Sequence, residues 1–193
     1  MTARSLEPNY FDRLYAANAD PWRMESSMYE DAKYIATLAA LPHQRYVCAV
    51  EIGCSVGVLT ARLAERCDDL LAIDVAQAAL SRAAKWCRDL PVRFELSMLP
   101  DRQPLGLFDL IVLSEVLYYF DQAGIIKLAE TVVKMAAPKA DILLVHWLGE
   151  TPDYPSNGDE AVMAFEAAGL WDTIKRSRTH DYRLDLLRVA RSD

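Results

Sequence analysis

The sequence feature that most constrains the fold is a glycine-containing turn between two apolar segments. Residues 47–52 are mostly apolar, Gly53 and Gly57 follow, and a second apolar segment over residues 70–73 ends at Asp74. This order is typical of a strand, a glycine turn that opens a helix, and a second parallel strand. Glycines let the turn approach a ligand closely, and the N–H groups of the helix start favour electron-rich ligand groups. An acid at the tip of the second strand can bind both hydroxyls of a ribose. The sequence therefore predicts a crevice for a nucleoside cofactor.

The spacing around the turn indicates which nucleoside cofactor it accepts. A dinucleotide-binding turn has the pattern G-x-G-x-x-G. Here three residues separate Gly53 from Gly57, and Glu51 stands two positions before Gly53. A carboxylate at that point would repel a pyrophosphate, whereas it suits a ligand with a cationic amino group. A nicotinamide-dependent oxidoreductase is therefore disfavoured.

The turn resembles the first motif of the class I S-adenosylmethionine (SAM) methyltransferases, E/D-x-G-x-G-x-G, with Ser55 where the middle glycine usually falls. The resemblance implies SAM as the cofactor and S-adenosylhomocysteine as the product. It implies cofactor contacts from Glu51, Gly53, Cys54, Gly57, Asp74 and Val75, and from Ser114 after a later strand. It places the adenine near Ser97, Met98 and Leu99, through backbone contacts and apolar packing because Met98 cannot bind the exocyclic amine as an acid would. The alternative is a strand-turn-helix unit with a purely structural role.

Charge and cysteine spacing exclude several other classes. The formal net charge of −7 argues against a nucleic-acid partner, because such binding depends on clustered Lys and Arg. The four cysteines have no C-x-x-C spacing and no histidine at metal spacing, so we expect buried, reduced thiols and no metal. The first ten residues lack the apolar core of a signal peptide, and no apolar run is long enough to span a membrane. We therefore expect a cytoplasmic protein without a membrane partner.

Strand and helix patterns alternate along the rest of the chain. Residues 8–40 are expected to form two helices, broken by the Asp20-Pro21-Trp22 turn, and strands are expected over residues 47–52, 70–73, 92–96, 108–113 and 142–147. Intervening helices are expected over residues 58–65, 77–88, 123–135, which Pro138 stops, and 158–168, which Gly169 closes; residues 171–175 and 182–189 are expected to form a hairpin. The sequence thus predicts an α/β fold: one Rossmann-like domain over residues 1–193 with a mostly parallel seven-stranded sheet and an antiparallel C-terminal hairpin. Residues 1–42 would form an N-terminal helical cap and residues 43–193 the core.

Polar residues at two further strand ends are candidates for the chemistry. Ligands of such sheets bind beyond the carboxyl ends of the strands, where Glu115 and His146 are predicted to lie. We interpret both as catalytic candidates: the class I resemblance places Glu115 at the reaction centre, and a histidine can accept a proton near neutral pH. The alternatives are a helix-capping carboxylate and a hydrogen-bonded structural histidine. Three aromatic residues nearby are candidate substrate contacts, with core packing as the alternative for the tyrosines: Tyr118, Tyr119 and Trp147. The polar loop around Tyr154 would form a rim for the substrate.

Segments over most of the chain resemble the NodS-like nodulation methyltransferases. The resemblance is carried by Asp20-Pro21-Trp22-Arg23, by Tyr29-Glu30-x-x-Lys33-Tyr34, by residues 51–54, by residues 114–119 and by residues 182–185. It implies N-methylation of the free amine of a glucosamine unit in a chitin-type oligosaccharide. Trp22 would then close over the cofactor and Arg23 would bind the acceptor, with helix-start packing and a solvated arginine as the alternatives.

Two other functions remain open at this point. The acceptor could be another small molecule methylated on nitrogen or oxygen, the latter with His146 as the base. Alternatively, the protein could bind SAM without turnover, as a sensor. The number of subunits is not indicated by the sequence.

Overall fold

The computed structural model describes residues 4–168 and 170–190. Their helices are α1 (Pro8–Ala17), α2 (Met28–Ala40), α3 (Val58–Ala64), α4 (Gln77–Trp86), α5 (Gln122–Met135) and α6 (Gly158–Glu166). Their strands are β1 (Tyr46–Ile52), β2 (Cys67–Asp74), β3 (Val92–Leu96), β4 (Phe108–Ser114), β5 (Ala136–Trp147), β6 (Trp171–Arg178) and β7 (Tyr182–Val189). Parallel strands connected by helices occur in both parts of the chain described below, which confirms the predicted α/β class.

The chain divides into two compact units, of which the first is Glu7–Met98. Its strands lie in the order β3-β2-β1 and are all parallel. The register pairs Ile52 with Ile73 and Asp74 with Leu96, so that the three strands end together at one edge. β1 and β2 are buried along most of their length, as expected for parallel strands that are covered on both faces. Helices α1 and α2 belong to this same unit.

The second unit comprises Leu99–Asp193 with Met1–Leu6, as far as these residues are described. Its strands lie in the order β4-β5-β7-β6. β4 and β5 are parallel, and β7 is antiparallel to both β5 and β6. The predicted C-terminal hairpin is therefore confirmed. Side-chain caps define the helix starts: the Asp121 carboxylate accepts the Gly124 N–H at 2.8 Å, and Asn157 and Glu160 form a reciprocal capping box.

The start of β5 differs from the prediction. The helix before it ends at Met135 and the strand begins at Ala136, so Pro138 lies inside the strand rather than in a connecting loop. The pairing explains how the strand tolerates a proline, because the register between β4 and β5 shifts between Phe108 and Leu110. Lys139 adopts a φ of 65° in this irregular stretch. Such an irregularity removes the need for a ladder hydrogen bond from the proline nitrogen.

The sequence also leads to expectations for the end of α6, for the burial of the cysteines and for the division of the chain. The helix predicted over residues 158–168 ends at Glu166, and Gly169, which was expected to close it, lies outside the described residues. Cys54, Cys67 and Cys87 are buried as expected, whereas Cys48 is only half-buried on the outer part of β1. The division into a cap over residues 1–42 and a core over residues 43–193 stays a prediction. None of the helices among the described residues is both long and apolar enough to span a membrane.

Gly57 is required by helix packing within the first unit. Its φ is +88°, in the region that residues with a Cβ rarely adopt. A Cβ built on it would lie 2.9 Å from both the Cα and the Cβ of Ala83 in α4. The glycine therefore lets α4 approach the turn closely, which is a separate reason for its presence from access to a ligand.

Gly57→Ala is expected to lower the free energy of unfolding by about 2–4 kcal/mol, through backbone strain together with collision against α4. The matched control is Gly106→Ala: Gly106 also has a positive φ, of +118°, but a Cβ there meets only the Phe108 ring edge at 4.0 Å. Denaturant unfolding of both variants measures the difference. Equal losses in the two variants would contradict the packing role of Gly57.

Candidate functional site

The glycine turn, residues 53–57, is fixed by main-chain hydrogen bonds to the end of β2. The N–H groups of Gly53 and Cys54 both donate to the carbonyl of Ile73, at 2.8 Å and 3.0 Å. Gly53 and Ser55 have φ values of +77° and +51°. The turn therefore uses left-handed backbone at Ser55 as well as at its glycines, which costs a residue with a Cβ about 1 kcal/mol or more. Such strain concentrates at functional sites.

The Asp74 carboxylate joins the turn to the start of α4. Its Oδ2 accepts the Ser55 N–H at 2.9 Å, and its Oδ1 accepts the Ala76 N–H at 2.9 Å. Asp74 is 8% exposed, and burial raises its pKa although hydrogen bonds from Ala76, Ser55 and Val75 oppose the shift. Each carboxylate oxygen has a second lone-pair direction, so the group can still accept hydroxyl donors from a ligand.

Tyr15 reaches the same turn from α1. Its hydroxyl and the Ser55 Oγ share a hydrogen bond of 2.5 Å, and both residues are buried. Trp22 packs edge-on against the Tyr15 ring, with the ring centroids 5.8 Å apart. The turn that carries Trp22 is closed by Asp20, whose carboxylate accepts the N–H groups of Met24 and Glu25. Arg23 lies in this turn with a φ of +56°.

Glu51 is a buried acid beneath the turn. The Thr60 hydroxyl donates to its Oε2 at 2.5 Å, and the residue is 2% exposed. The pKa of Glu51 is raised to about 8, mainly by burial and to a smaller extent by the charge of Asp74, while the hydrogen bond from Thr60 opposes the shift. Glu51 and Asp74 are therefore two buried carboxyl groups, and the charge of Asp74 disfavours the ionisation of Glu51. A cation beside Glu51 would favour its charged form.

The other predicted cofactor residues of this unit surround the same strand ends. Cys54 packs its side chain into a cluster with Ala72, Leu80 and Ala83, and burial raises the pKa of its thiol well above its usual range. The Ser97 N–H donates to the Asp74 carbonyl at 3.1 Å, and Met98 follows at the end of the unit. Leu99 is buried and begins the second unit. That these residues contact the cofactor stays a prediction.

Glu115 is the centre of a second group, which we call the acid–aromatic cluster: Glu115, Tyr118, Tyr119, His146 and Tyr154. Glu115 has a φ of +59° immediately after β4, and its N–H donates to the Val145 carbonyl at 2.8 Å. Its Oε2 accepts the Tyr118 hydroxyl at 2.6 Å and the Trp147 N–H at 2.9 Å. A strained backbone and two donors on one oxygen hold the carboxylate in one orientation.

The tyrosines of the cluster form an aromatic group. Tyr118 and Tyr154 are stacked at 5.4 Å, and Tyr119 meets each of them edge-on. Tyr118 is 5% exposed, whereas Tyr119 and Tyr154 are half-buried. Burial raises the pKa of Tyr118 well above its usual range, so its hydroxyl keeps the proton that it donates to Glu115. Of the two tyrosines predicted to contact the substrate, only Tyr119 therefore has a solvent-accessible part of its ring that a ligand could contact.

His146 has its Nε2 occupied by the backbone. This nitrogen accepts the Leu117 N–H at 3.0 Å and the Val116 N–H at 3.3 Å, and the residue is fully buried. With two backbone N–H groups directed at it, Nε2 has no lone pair available for a substrate proton. The geometry favours the structural alternative, in which His146 supports the turn that follows Glu115. A catalytic role for His146 stays a prediction.

Trp147 and Ser114 lie at the neighbouring strand ends. Trp147 is 38% exposed and its indole lies against Gly149, where a Cβ would overlap the ring. A Cβ built on Gly158, at the start of α6, would lie 2.2 Å from the Trp147 carbonyl oxygen. Ser114 is half-buried at the end of β4, beside Glu115.

Sequence reasoning missed three residues of these groups. Tyr15 and Thr60 carry no motif, and each is indistinguishable in sequence from an ordinary packed residue of a helix. Tyr154 was predicted only as part of a polar rim, although its ring joins the aromatic group. The aromatic–proline sequence in a long loop after β5 was the available signal for it.

Comparison with known families gives a match over most of the chain. The family model of nodulation protein S (NodS) matches residues 10–149. Nodulation protein S of Sinorhizobium fredii is 31% identical over 130 residues, which are 66% of this chain and 60% of that protein. Nodulation protein S of Rhizobium tropici is 31% identical over 122 residues, which are 62% of this chain and 51% of that protein. The matched region thus spans only about half to three fifths of these relatives.

Solved structures share the fold over nearly the whole chain. The N-methyltransferase NodS of Bradyrhizobium japonicum WM9, in complex with S-adenosyl-L-homocysteine, aligns with a TM-score of 0.82 at 23% identity, over 95% of this chain and 98% of that chain. A proposed methyltransferase from Pseudomonas syringae aligns with a TM-score of 0.73 at 35% identity, over 84% of this chain and 99% of that chain.

Glu51→Gln is expected to flatten the pH dependence of stability. Because the pKa of Glu51 rises from 4.5 to about 8 on folding, its proton stabilises the folded state fully below pH 4.5, and this stabilisation is lost as the pH rises through about 8. Glutamine stays neutral and can still accept from Thr60. The free energy of unfolding of the variant relative to the parent should therefore rise with pH and level off above about pH 8.

Denaturant unfolding from pH 5 to pH 9 measures this difference. Glu65→Gln is the control, because Glu65 is exposed at the end of α3. A constant difference between Glu51→Gln and the parent across this range would show that Glu51 is not a buried, proton-binding acid.

Proposed function

The chain belongs to the NodS family, and from this membership we propose that it is a SAM-dependent N-methyltransferase. The observation that carries the proposal is the pair of buried acids at the glycine turn. Glu51 and Asp74 are both almost fully buried, and the charge of Asp74 opposes the ionisation of Glu51. An arrangement that costs stability in the free protein is consistent with a site built for a ligand with a cation and hydroxyl donors.

The residues present fit SAM group by group. The ammonium of SAM would favour the ionised form of Glu51 and so offset the cost of burying its charge. The ribose hydroxyls would donate to Asp74, whose two oxygens are already oriented by the N–H groups of Ser55 and Ala76. The half-buried Met98 and the buried Leu99 offer an apolar surface for a base. SAM supplies an electrophilic methyl group on a cationic sulfur.

Glu115 is the residue that we assign to the acceptor. A neutral amine becomes positively charged as it gains the methyl group, so a carboxylate beside it stabilises the transition state. The Tyr118 hydroxyl and the Trp147 N–H orient the Glu115 carboxylate before the acceptor arrives. Because these contacts hold the carboxylate in place, little reorganisation is needed during the reaction.

The acceptor that we propose is the free amine of an amino sugar or of a chitin-type oligosaccharide. The family supports this class, and the half-buried rings of Tyr119 and Tyr154 are suited to packing against the apolar face of a sugar. Trp147 adds a third exposed aromatic surface. Binding of the acceptor by Arg23 and a cytoplasmic location of the protein both stay predictions.

An oxygen acceptor is the second candidate, but the structure favours it less. Deprotonating a sugar hydroxyl requires a base with an available lone pair. The Nε2 lone pair of His146 is directed at two backbone N–H groups. A SAM sensor without turnover would need neither a strained Glu115 nor its two donors.

Asp74→Asn is expected to weaken SAM binding by about 1.5–3 kcal/mol, or about 10- to 100-fold, because it removes the charge that receives the ribose hydroxyls. Isothermal titration calorimetry with SAM measures the change. The control is Asp69→Asn on the same strand, which removes the charge from an exposed ion pair with Arg93. Unchanged SAM affinity in a folded Asp74→Asn protein would remove Asp74 from the site.

Glu115→Gln is expected to lower turnover of a free amino sugar by roughly 10²-fold, with SAM affinity nearly intact. His146→Gln is expected to stay close to the parent, because the glutamine Oε1 can accept the same N–H groups as Nε2. The assay uses chito-oligosaccharides with and without a free amine and scores the mass of one added methyl group. If His146→Gln loses turnover while Glu115→Gln keeps it, or if the N-acetylated substrates react, the acceptor atom is oxygen.

A further inference from the structure

The hydrogen bond between Tyr15 and Ser55 connects the first helix to the glycine turn. The two oxygens are 2.5 Å apart, and the residues are 8% and 6% exposed. Removing one partner leaves the other buried hydroxyl without a hydrogen bond, because no water reaches it. The free-energy cost of this is larger than the net contribution of the bond itself. Neither hydroxyl can therefore be removed alone without a penalty on the other.

Ser55 needs support because of its backbone. Its φ of +51° is favoured by glycine and is strained for serine. The motif that this turn resembles usually carries a glycine at that position. The Tyr15 hydroxyl holds the serine side chain in place, and a serine that relaxed to negative φ would turn its N–H away from its present acceptor.

That acceptor is the Asp74 carboxylate, which receives the Ser55 N–H at 2.9 Å. Tyr15, Ser55 and Asp74 therefore form one chain of contacts from α1 to the end of β2. Building on the function proposed above, we propose that Tyr15 is a positioning residue of the cofactor site, which holds Ser55 in its left-handed conformation and so orients Asp74 toward the ribose.

The surroundings keep the tyrosine in the state that this role requires. Burial raises the pKa of Tyr15 far above its usual value, and the nearby Asp74 charge adds to the shift. The hydroxyl is therefore neutral at any working pH. The Trp22 ring packs against the edge of Tyr15, so replacing the hydroxyl by hydrogen leaves that packing in place.

Tyr15→Phe, Ser55→Gly and the double variant test the proposal. Tyr15→Phe leaves the Ser55 hydroxyl without its partner and should weaken SAM binding about 3- to 10-fold. Ser55→Gly leaves the Tyr15 hydroxyl without its partner and should also weaken binding. The double variant has neither hydroxyl, and glycine accepts the left-handed backbone, so its affinity should return to within about twofold of the parent.

Two measurements are made on the same proteins. Calorimetry with SAM gives the affinity, and amide hydrogen exchange of residue 55 in the free protein reports on the bond to Asp74. The protection of this amide should fall in Tyr15→Phe and recover in the double variant. Tyr10→Phe, on the same helix, is the control and should change neither measurement.

The outcomes separate this inference from the proposed function. If the parent does not bind SAM, the proposed function fails, and the exchange data alone still decide whether Tyr15 orders the turn. A second outcome is that the parent binds SAM and Tyr15→Phe lowers the SAM affinity by the same factor in the parent and in Ser55→Gly. In that case the tyrosine acts only through packing and the inference is overturned. Altered exchange with unchanged SAM affinity also overturns it.

Discussion

The acceptance of two backbone N–H groups by the Asp74 carboxylate is the interaction on which the first unit depends. It fixes the end of β2, the conformation of the glycine turn and the start of α4 with a single short side chain. Glutamate has one more methylene and would place its oxygens differently relative to both N–H groups. The cost of burying this carboxylate is offset by charge-assisted hydrogen bonds, which are about twice as strong as neutral ones. Burial nevertheless remains the largest influence on its pKa, which is raised.

A second buried acid close to the first makes this part of the protein less stable than it could be. Glu51 is 2% exposed and keeps its proton until about pH 8, because burial and the charge of Asp74 both oppose its ionisation. Above about pH 8 Glu51 is a buried charge, and replacing buried charged groups by packed apolar ones is often neutral or favourable for stability. Proteins accept such costs where a ligand will later interact with the groups concerned. These two buried carboxyl groups are the ones that we propose to bind the ammonium and the ribose of SAM.

Much of this arrangement could be predicted because it depends on local patterns, and the rest could not because it depends on packing. Apolar segments predicted the first five strands, a hairpin pattern predicted the last two, and the glycines and Asp74 identified the turn. The entry of Pro138 into β5 was not predictable, because it depends on a register shift between two strands. The contact of Tyr15 with Ser55, 40 positions apart in the chain, leaves no trace in either local sequence. His146 could be placed at a strand end, but the direction of its Nε2 depends on two N–H groups contributed by a different segment. Whether these residues contact the cofactor or the acceptor stays a prediction.

The acid–aromatic cluster bears on the choice between nitrogen and oxygen as the acceptor atom. An amine loses its proton to water near neutral pH and then requires only orientation and a negative charge nearby, whereas a hydroxyl requires a base during the reaction. Both donors to Glu115 contact the same oxygen, Oε2, and hold the carboxylate in one orientation. His146, the other candidate base, is engaged through Nε2 with the turn behind Glu115. A firmly oriented carboxylate suits the developing charge of an alkylated amine, and this orientation supports nitrogen as the acceptor atom that we propose.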